Sequence, residues 1–203
     1  MNNTLILIAA DAPQSGKSTV AALLSQFLKS QSRVVIRHAF ADPIKKMLAT
    51  LLTGQLKYNS YEAFEALYGE DKESPVRHLK VSNVTHRKLM QTLGTEWREI
   101  SGCPNLGGEI MLSKLESLHP TGVFVIVDDY RFPLEKDFLE AHLTGWDIKV
   151  IQVVRPTTKV EGHRSEGGLT GQGFDYTIYN TEGLNELAKV VDLVGCSLLR
   201  EED

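Results

Sequence analysis

The chain has 203 residues, enough for one α/β domain with a well-buried core, and its 42% hydrophobic and 24% charged content is ordinary for a soluble globular enzyme. A net charge of -4 argues against a nucleic-acid scaffold built on a broad basic surface, though not against a local cluster of arginines. Cys103 and Cys196, the only two cysteines, are far apart and lack CxxC spacing; they read as reduced thiols rather than a disulfide or metal pair.

The first apolar run, TLILIAA (4–10), reads as a strand buried on both faces of a parallel sheet. It is far shorter than the roughly 20 residues of a membrane span. The leading MNNT has no positive region of the signal-peptide kind, so a cytoplasmic location is expected. The strand enters DAPQSGKST (11–19), and VAALLSQFL (20–28) follows as a helix. RVVIRHAF (33–40) is a second strand. In DPIKKMLATLL, Asp42 is placed as N-cap and Pro43 at the first helical position. Ile44, Met47, Leu48, Leu51 and Leu52 then form one apolar face.

Residues 54–84 break the rhythm with Gly54, Gly69, Pro75 and the charge cluster GEDKE. A helix is expected from near Thr85, carrying Leu89, Met90, Leu93 and Trp97 inward. VFVIVDD (123–129) and IKVIQVV (148–154) are the third and fourth strands. Residues 155–173 form a second excursion, with Gly162, Gly167, Gly168, Gly171 and Gly173 among charged residues. DYTIY (175–179) is a fifth strand, and after a Thr181 cap Leu184, Leu187, Ala188 and Val191 repeat the helical spacing. Strands alternating with helices imply right-handed βαβ crossovers and a doubly wound sheet. The two excursions are long for connections inside a compact domain, which points to lids or binding loops, with surface insertions as the bland alternative.

The stretch DAPQSGKST meets the pattern G-x-x-x-x-G-K-[ST] at Gly16, Lys17 and Ser18, but its leading position holds Asp11. Context supports a phosphate-binding loop: an apolar strand runs straight into it and an apolar-faced helix opens straight after it. Backbone N–H groups of such a loop point inward at the positive end of the helix. The lysine reaches the β/γ-phosphates and the next hydroxyl binds Mg²⁺. Asp is among the non-glycine residues that best tolerate positive φ. Its charge would repel a phosphate about 8 Å away by roughly 2 kcal/mol at a dielectric of 20, but only about 0.5 at 80. Asp11 is therefore expected to point out of the cradle or to accept from loop N–H groups.

Asp128 and Asp129 end the third strand, where ligands bind in open α/β sheets and where an acid helps hold Mg²⁺, usually through water. Arg131, Arg155 and Arg164 could supply the cations that phosphoryl transfer needs. Each alone could equally be a solvated surface arginine. His38, His86 and His163 lack metal-ligand spacing, Lys72 and Glu73 read as a solvated face, and Trp97 and Phe40 read as core.

Taken together, SGKST (15–19), FADPIK (40–45), YGEDKE (68–73), RKLMQTLGTEWR (87–98), VDDYRFPLE (127–135), VVRP (153–156), HRSE (163–166) and DYTIYNTEGLNEL (175–187) resemble the deoxynucleoside monophosphate kinases of tailed bacteriophages. The resemblance implies a P-loop fold of the nucleoside monophosphate kinase type: a five-stranded parallel sheet flanked by helices, in one domain. Its core would be residues 1–53 and 120–203, with an acceptor-binding helical insertion at about 54–119 and a lid at about 155–173. It implies transfer of the γ-phosphate of ATP to a deoxynucleoside monophosphate, in the host cytoplasm if the gene is a phage's. Gln14, Ser15, Gly16, Lys17, Ser18 and Thr19 would hold the ATP phosphates, with Lys17 on the transferring group, Ser18 on Mg²⁺ and Asn180 approaching the adenine. Asp128 would act on Mg²⁺ through water. Phe40, Asp42, Lys45, Arg87, Gln91 and Arg98 would form the acceptor side, with Asp129 and Arg131 between the two nucleotides. Arg155 and Arg164 would be lid arginines that stabilise the transition state.

The resemblance is imperfect. SGCPNLGGE (101–109) lacks a D-x-W expected after the GTExxR helix, which leaves base preference open, and Tyr130 stands where a small aliphatic residue is commoner. No nucleic-acid polymer and no membrane is expected as a partner, and a homodimer is left open. Competing readings are a kinase for another small molecule, such as dephospho-coenzyme A, and a nucleotide-binding regulatory module without turnover.

Overall fold

A computed structural model describes residues 2–10, 12–53, 84–119, 121–156, 169 and 173–201. Asp11, Lys72, Glu73, His163 and Arg164, for which the sequence raised expectations, lie outside the described residues. The chain divides into two compact units, one of Met1–Phe40 with Gly107–Asp203, the other Ala41–Leu106.

The first unit is built on β1 (Asn3–Ala9), β2 (Val34–His38), β3 (Val123–Val127), β4 (Trp146–Val154) and β5 (Tyr176–Tyr179). They form one all-parallel sheet in the order β2-β3-β1-β4-β5. All five expected strands are present. The central β1 and its neighbour β3 are almost wholly apolar and buried because strands flank them on both edges and their two faces pack into the two core layers. The edge strand β2 is only partly buried.

Strand alternation sorts the side chains into two layers. Ile6, Ile8, Phe124 and Ile126 face one layer, where they meet Val20, Leu24 and Leu28 of α1 (Lys17–Ser30). Leu187, Val191, Val194 and Leu198 of the C-terminal helix join the same layer. Leu5, Leu7, Val123, Val125 and Val127 face the other, with Met111, Leu115, Tyr130 and Leu139. Each such side chain contributes roughly 1.5–3 kcal/mol when fully buried. Helix α1 ends in a reciprocal pair of bonds, Arg33 N to the Leu28 carbonyl and Ser32 N to the Lys29 carbonyl. That closure puts Ser32 at φ 61, a position where glycine is usual.

Within the second unit, α2 (Asp42–Thr53) buries Leu48 and Ala49 against Leu89, Met90 and Leu93. Helix α3 (His86–Gln91) starts where expected, with Thr85 Oγ1 accepting from Lys88 N at 3.1 Å. It continues through a π-helical turn, Thr92–Glu96, into α4 (Trp97–Ile100). Helix α5 (Leu106–Glu116) leads from here into the first unit. Helices α6 (Pro133–His142) and α7 (Leu184–Arg200) complete the described helices.

Four local expectations are corrected. Asp42 lies in the first turn of α2 rather than capping it, because the Ala41 carbonyl already accepts from Lys45 N. Gly183, not Thr181, precedes α7. Leu51 is 74% exposed, so the apolar face of α2 is narrower than its spacing suggested. Trp97 is 43% exposed, past the π turn that shifts the helical phase. Helices α5 and α6 had not been anticipated. In α5, Gly108 lies where a Cβ would come 2.8 Å from the Phe138 ring of α6.

Candidate functional site

Because all five strands are parallel, their C-terminal ends share one edge of the sheet, and the loop between β1 and α1 lies there. Its shape comes from two residues in the left-handed region, Gln14 at φ 58 and Gly16 at φ 102. Ser15 between them is buried, and its hydroxyl donates to the Ala12 carbonyl at 2.7 Å. Gly16 is the cap residue of α1, its carbonyl accepting from Val20 N at 2.9 Å. Lys17 is thus the first helical residue, and Ser18 and Thr19 are exposed in the first turn. No acidic residue stands in that turn to offset the positive helix end.

The loop is held from the far side of the sheet. Asn180, just beyond β5, has its backbone fixed by a bond from its N–H to the Val154 carbonyl at 2.8 Å. Its side-chain Nδ2 donates to the Ser15 carbonyl at 2.9 Å. A Cβ on Gly16 would stand 2.6 Å from that same Nδ2, so position 16 needs glycine for space as well as for φ. Arg155, after β4, reaches the Gln14 carbonyl with Nη1 at 3.4 Å. Arg155, Pro156, Asn180, Thr181 and Glu182 line a small cleft of about 210 Å³.

The two aspartates after β3 part company by strand parity. Asp128 continues the series of Phe124 and Ile126, on the face that α1 covers. There its Oδ2 pairs with Arg37 Nη2 at 2.9 Å, the carboxylate 17% exposed. Asp129 continues the series of Val125 and Val127 on the opposite face, and its Oδ1 accepts from Phe40 N at 2.8 Å. Phe40 is buried in that core layer, as its pattern predicted. Arg131 is half-buried, and its backbone N–H and that of Phe132 both donate to Glu135 Oε2 at 3.3 Å. Tyr130 is 1% exposed, and burial, reinforced by Glu135, Asp137 and Glu140, pushes its phenol well above the ordinary range. It is a core side chain.

The remaining expected acceptor-side residues belong to the second unit. Asp42 and Lys45 are one turn apart on α2, 3.7 Å between carboxylate and ammonium. Arg87 and Gln91 stand at i and i+4 on α3, and Arg98 is buried in α4 beyond the π turn. Among the described residues, no group of three or more His, Cys, Asp or Glu side chains converges as a metal site. Cys103 and Cys196 are free and exposed, and no described helix is long and apolar enough to cross a membrane.

Sequence reasoning missed Arg37. Its parity along β2 matches that of Asp128, but this signal needs the knowledge that β2 and β3 are neighbours. It also missed that Gln14 takes a left-handed conformation and that the side chain of Asn180 is engaged by the loop.

Residues 56–191 match the model of a family described as deoxynucleotide monophosphate kinase. No curated protein matches the chain. Among solved structures, one match is APS kinase CysC of Mycobacterium tuberculosis in complex with AMPPNP and APS. It is 15% identical, with 95% of this chain and 98% of that one covered and a TM-score of 0.45. Another is cobyrinic acid a,c-diamide synthase of Mycobacterium smegmatis with bound ADP and magnesium, 16% identical, covering 96% and 82%, with a TM-score of 0.41.

Proposed function

Because the chain belongs to the deoxynucleotide monophosphate kinase family and is therefore a nucleotide kinase, we propose that it moves the γ-phosphoryl group of ATP onto a deoxynucleoside 5′-monophosphate. A phosphate oxygen of the acceptor forms the new P–O bond. The bond from the γ-phosphorus to the β–γ bridging oxygen breaks, and ADP leaves with its electron pair. The products are ADP and a deoxynucleoside diphosphate, a DNA precursor.

The loop between β1 and α1 carries this reading. Gly16 in the left-handed region directly precedes Lys17, which heads a 14-residue helix with no acid in its first turn. Such an end attracts a polyphosphate. Lys17 would bear on the transferring group, while Gln14, Ser15, Gly16, Ser18 and Thr19 surround the remaining phosphate oxygens. Two oxygen donors suited to Mg²⁺ are the exposed Ser18 hydroxyl and the carboxylate of Asp128, whose Oδ2 pairs with Arg37. Bound Mg²⁺ would neutralise charge on the phosphates. Phe40, Asp42, Lys45, Arg87, Gln91, Arg98, Asp129 and Arg131 are proposed for the acceptor, with residues 54–119 as its binding insertion. Arg155 and Arg164 are proposed as cations for the transition state, in a lid of residues 155–173.

The test is ADP formation from ATP and Mg²⁺ with each deoxynucleoside monophosphate in turn, and Lys17→Ala as control. Acceptor-dependent ADP that disappears in Lys17→Ala is expected. ADP formed equally without any acceptor would replace the kinase reading by one of hydrolysis.

A further inference from the structure

We infer that Asn180 is a positioning residue that aims the phosphate-binding N–H groups of the loop, acting through the Ser15 carbonyl rather than through contact with a nucleotide base. The inference rests on the reading of this loop as the ATP phosphate site. In a trans peptide the C=O and the following N–H point in opposite directions, and no described peptide bond is cis. A donor that fixes the Ser15 carbonyl therefore fixes the direction of the Gly16 N–H. Asn180 Nδ2 holds that carbonyl at 2.9 Å. Arg155 Nη1 approaches the Gln14 carbonyl at 3.4 Å and so bears on the Ser15 N–H in the same way. Among the described residues, neither the Ser15 nor the Gly16 N–H donates to a backbone carbonyl.

The holding group is anchored through its backbone. The backbone N–H of Asn180 is bonded to Val154 at 2.8 Å, so the amide projects from the joined ends of β4 and β5. The fit is close enough that a methyl group at position 16 would meet Nδ2 at 2.6 Å. The loop conformation it holds includes Gln14 at φ 58, which costs a non-glycine residue energy and needs support from its surroundings. A concave set of N–H groups binds anions only when the peptides stay turned inward. Asn180 and Arg155 turn the carbonyls outward.

The test separates loop positioning from adenine contact by using a ligand with no base. Affinities for ATP and for inorganic tripolyphosphate are measured by calorimetry on the full chain, with folding checked by thermal melting. Asn180→Ala is expected to weaken both ligands by the same factor, about tenfold. A loss for ATP with tripolyphosphate unchanged would overturn the inference in favour of an adenine contact, and no loss for either would also overturn it. Asn180→Asp, which keeps the size but sets a carboxylate oxygen against the Ser15 carbonyl, provides the answer should Asn180→Ala not fold. Binding of tripolyphosphate by Asn180→Asp at wild-type strength would overturn the inference. Wild-type protein that binds neither ligand would instead refute the ATP-site reading itself.

Discussion

Gly16 and Asn180 should behave as one coupled unit, and a double-mutant cycle measures this. Gly16→Ala incurs two separate costs. A Cβ at φ 102 is strained, by roughly 1–2 kcal/mol for a left-handed alanine. The same Cβ would stand 2.6 Å from Asn180 Nδ2 and drive it off the Ser15 carbonyl, at about 0.5–1.5 kcal/mol for the lost bond. Together these amount to roughly 1.5–3.5 kcal/mol, or a fall in ATP affinity of about ten- to several-hundredfold. In an Asn180→Ala background the second cost has already been incurred and the clash is gone, so only the strain remains. The two substitutions should then fall short of additivity by about 1 kcal/mol. Calorimetric ATP affinities for the four proteins give the coupling directly. A coupling below about 0.3 kcal/mol would refute the reasoning, because it would mean that Gly16 is required for its φ alone.

Two further predictions concern the frame around the site. Ser32→Gly should stabilise the protein by about 0.5–1 kcal/mol, raising Tm by roughly 1–4 °C, because Ser32 closes α1 at φ 61 and is exposed; a lower Tm in a melting scan would contradict this. Glu201 bonds Lys149 at 2.7 Å and Tyr176 at 2.6 Å, and these bonds lower its carboxyl below the ordinary 4.5. Such a depressed carboxyl stabilises the fold above pH 4.5 and loses that contribution as pH falls through its folded value. The Tm gap between wild type and Glu201→Gln should therefore be open at pH 7 and close towards pH 3; a gap unchanged across that range would count against the network.

Strands were legible in this sequence because the sheet is parallel and its inner strands are covered, so that β1 and β3 are short, almost wholly apolar runs. The loop was legible because its flanks are a strand and a helix. Helix α5 was not, since Gly107 and Gly108 look like a turn; Gly108 is small instead because Phe138 occupies the space a Cβ would need. Helix α6 did carry signals, Pro133 at its first position and Glu135 bonded back to two N–H groups. The opposite tasks of Asp128 and Asp129 follow from strand parity, which adjacent identical letters conceal until the sheet order is known. The clamp of Asn180 on Ser15 joins positions 165 residues apart, and no local pattern announces it.

The order of the strands also bears on how the chain is made. β1 is synthesised first, yet Thr4 pairs with Phe124 and, on its other side, with Asp147. At roughly 5–20 residues per second on the ribosome, this largely apolar strand waits many seconds for either neighbour. Its earliest available cover is α1, whose Val20, Leu24 and Leu28 belong to the same core layer as Ile6 and Ile8. A nascent β1–α1 hairpin, already folding the phosphate loop between them, would shield that surface until the rest of the sheet emerges.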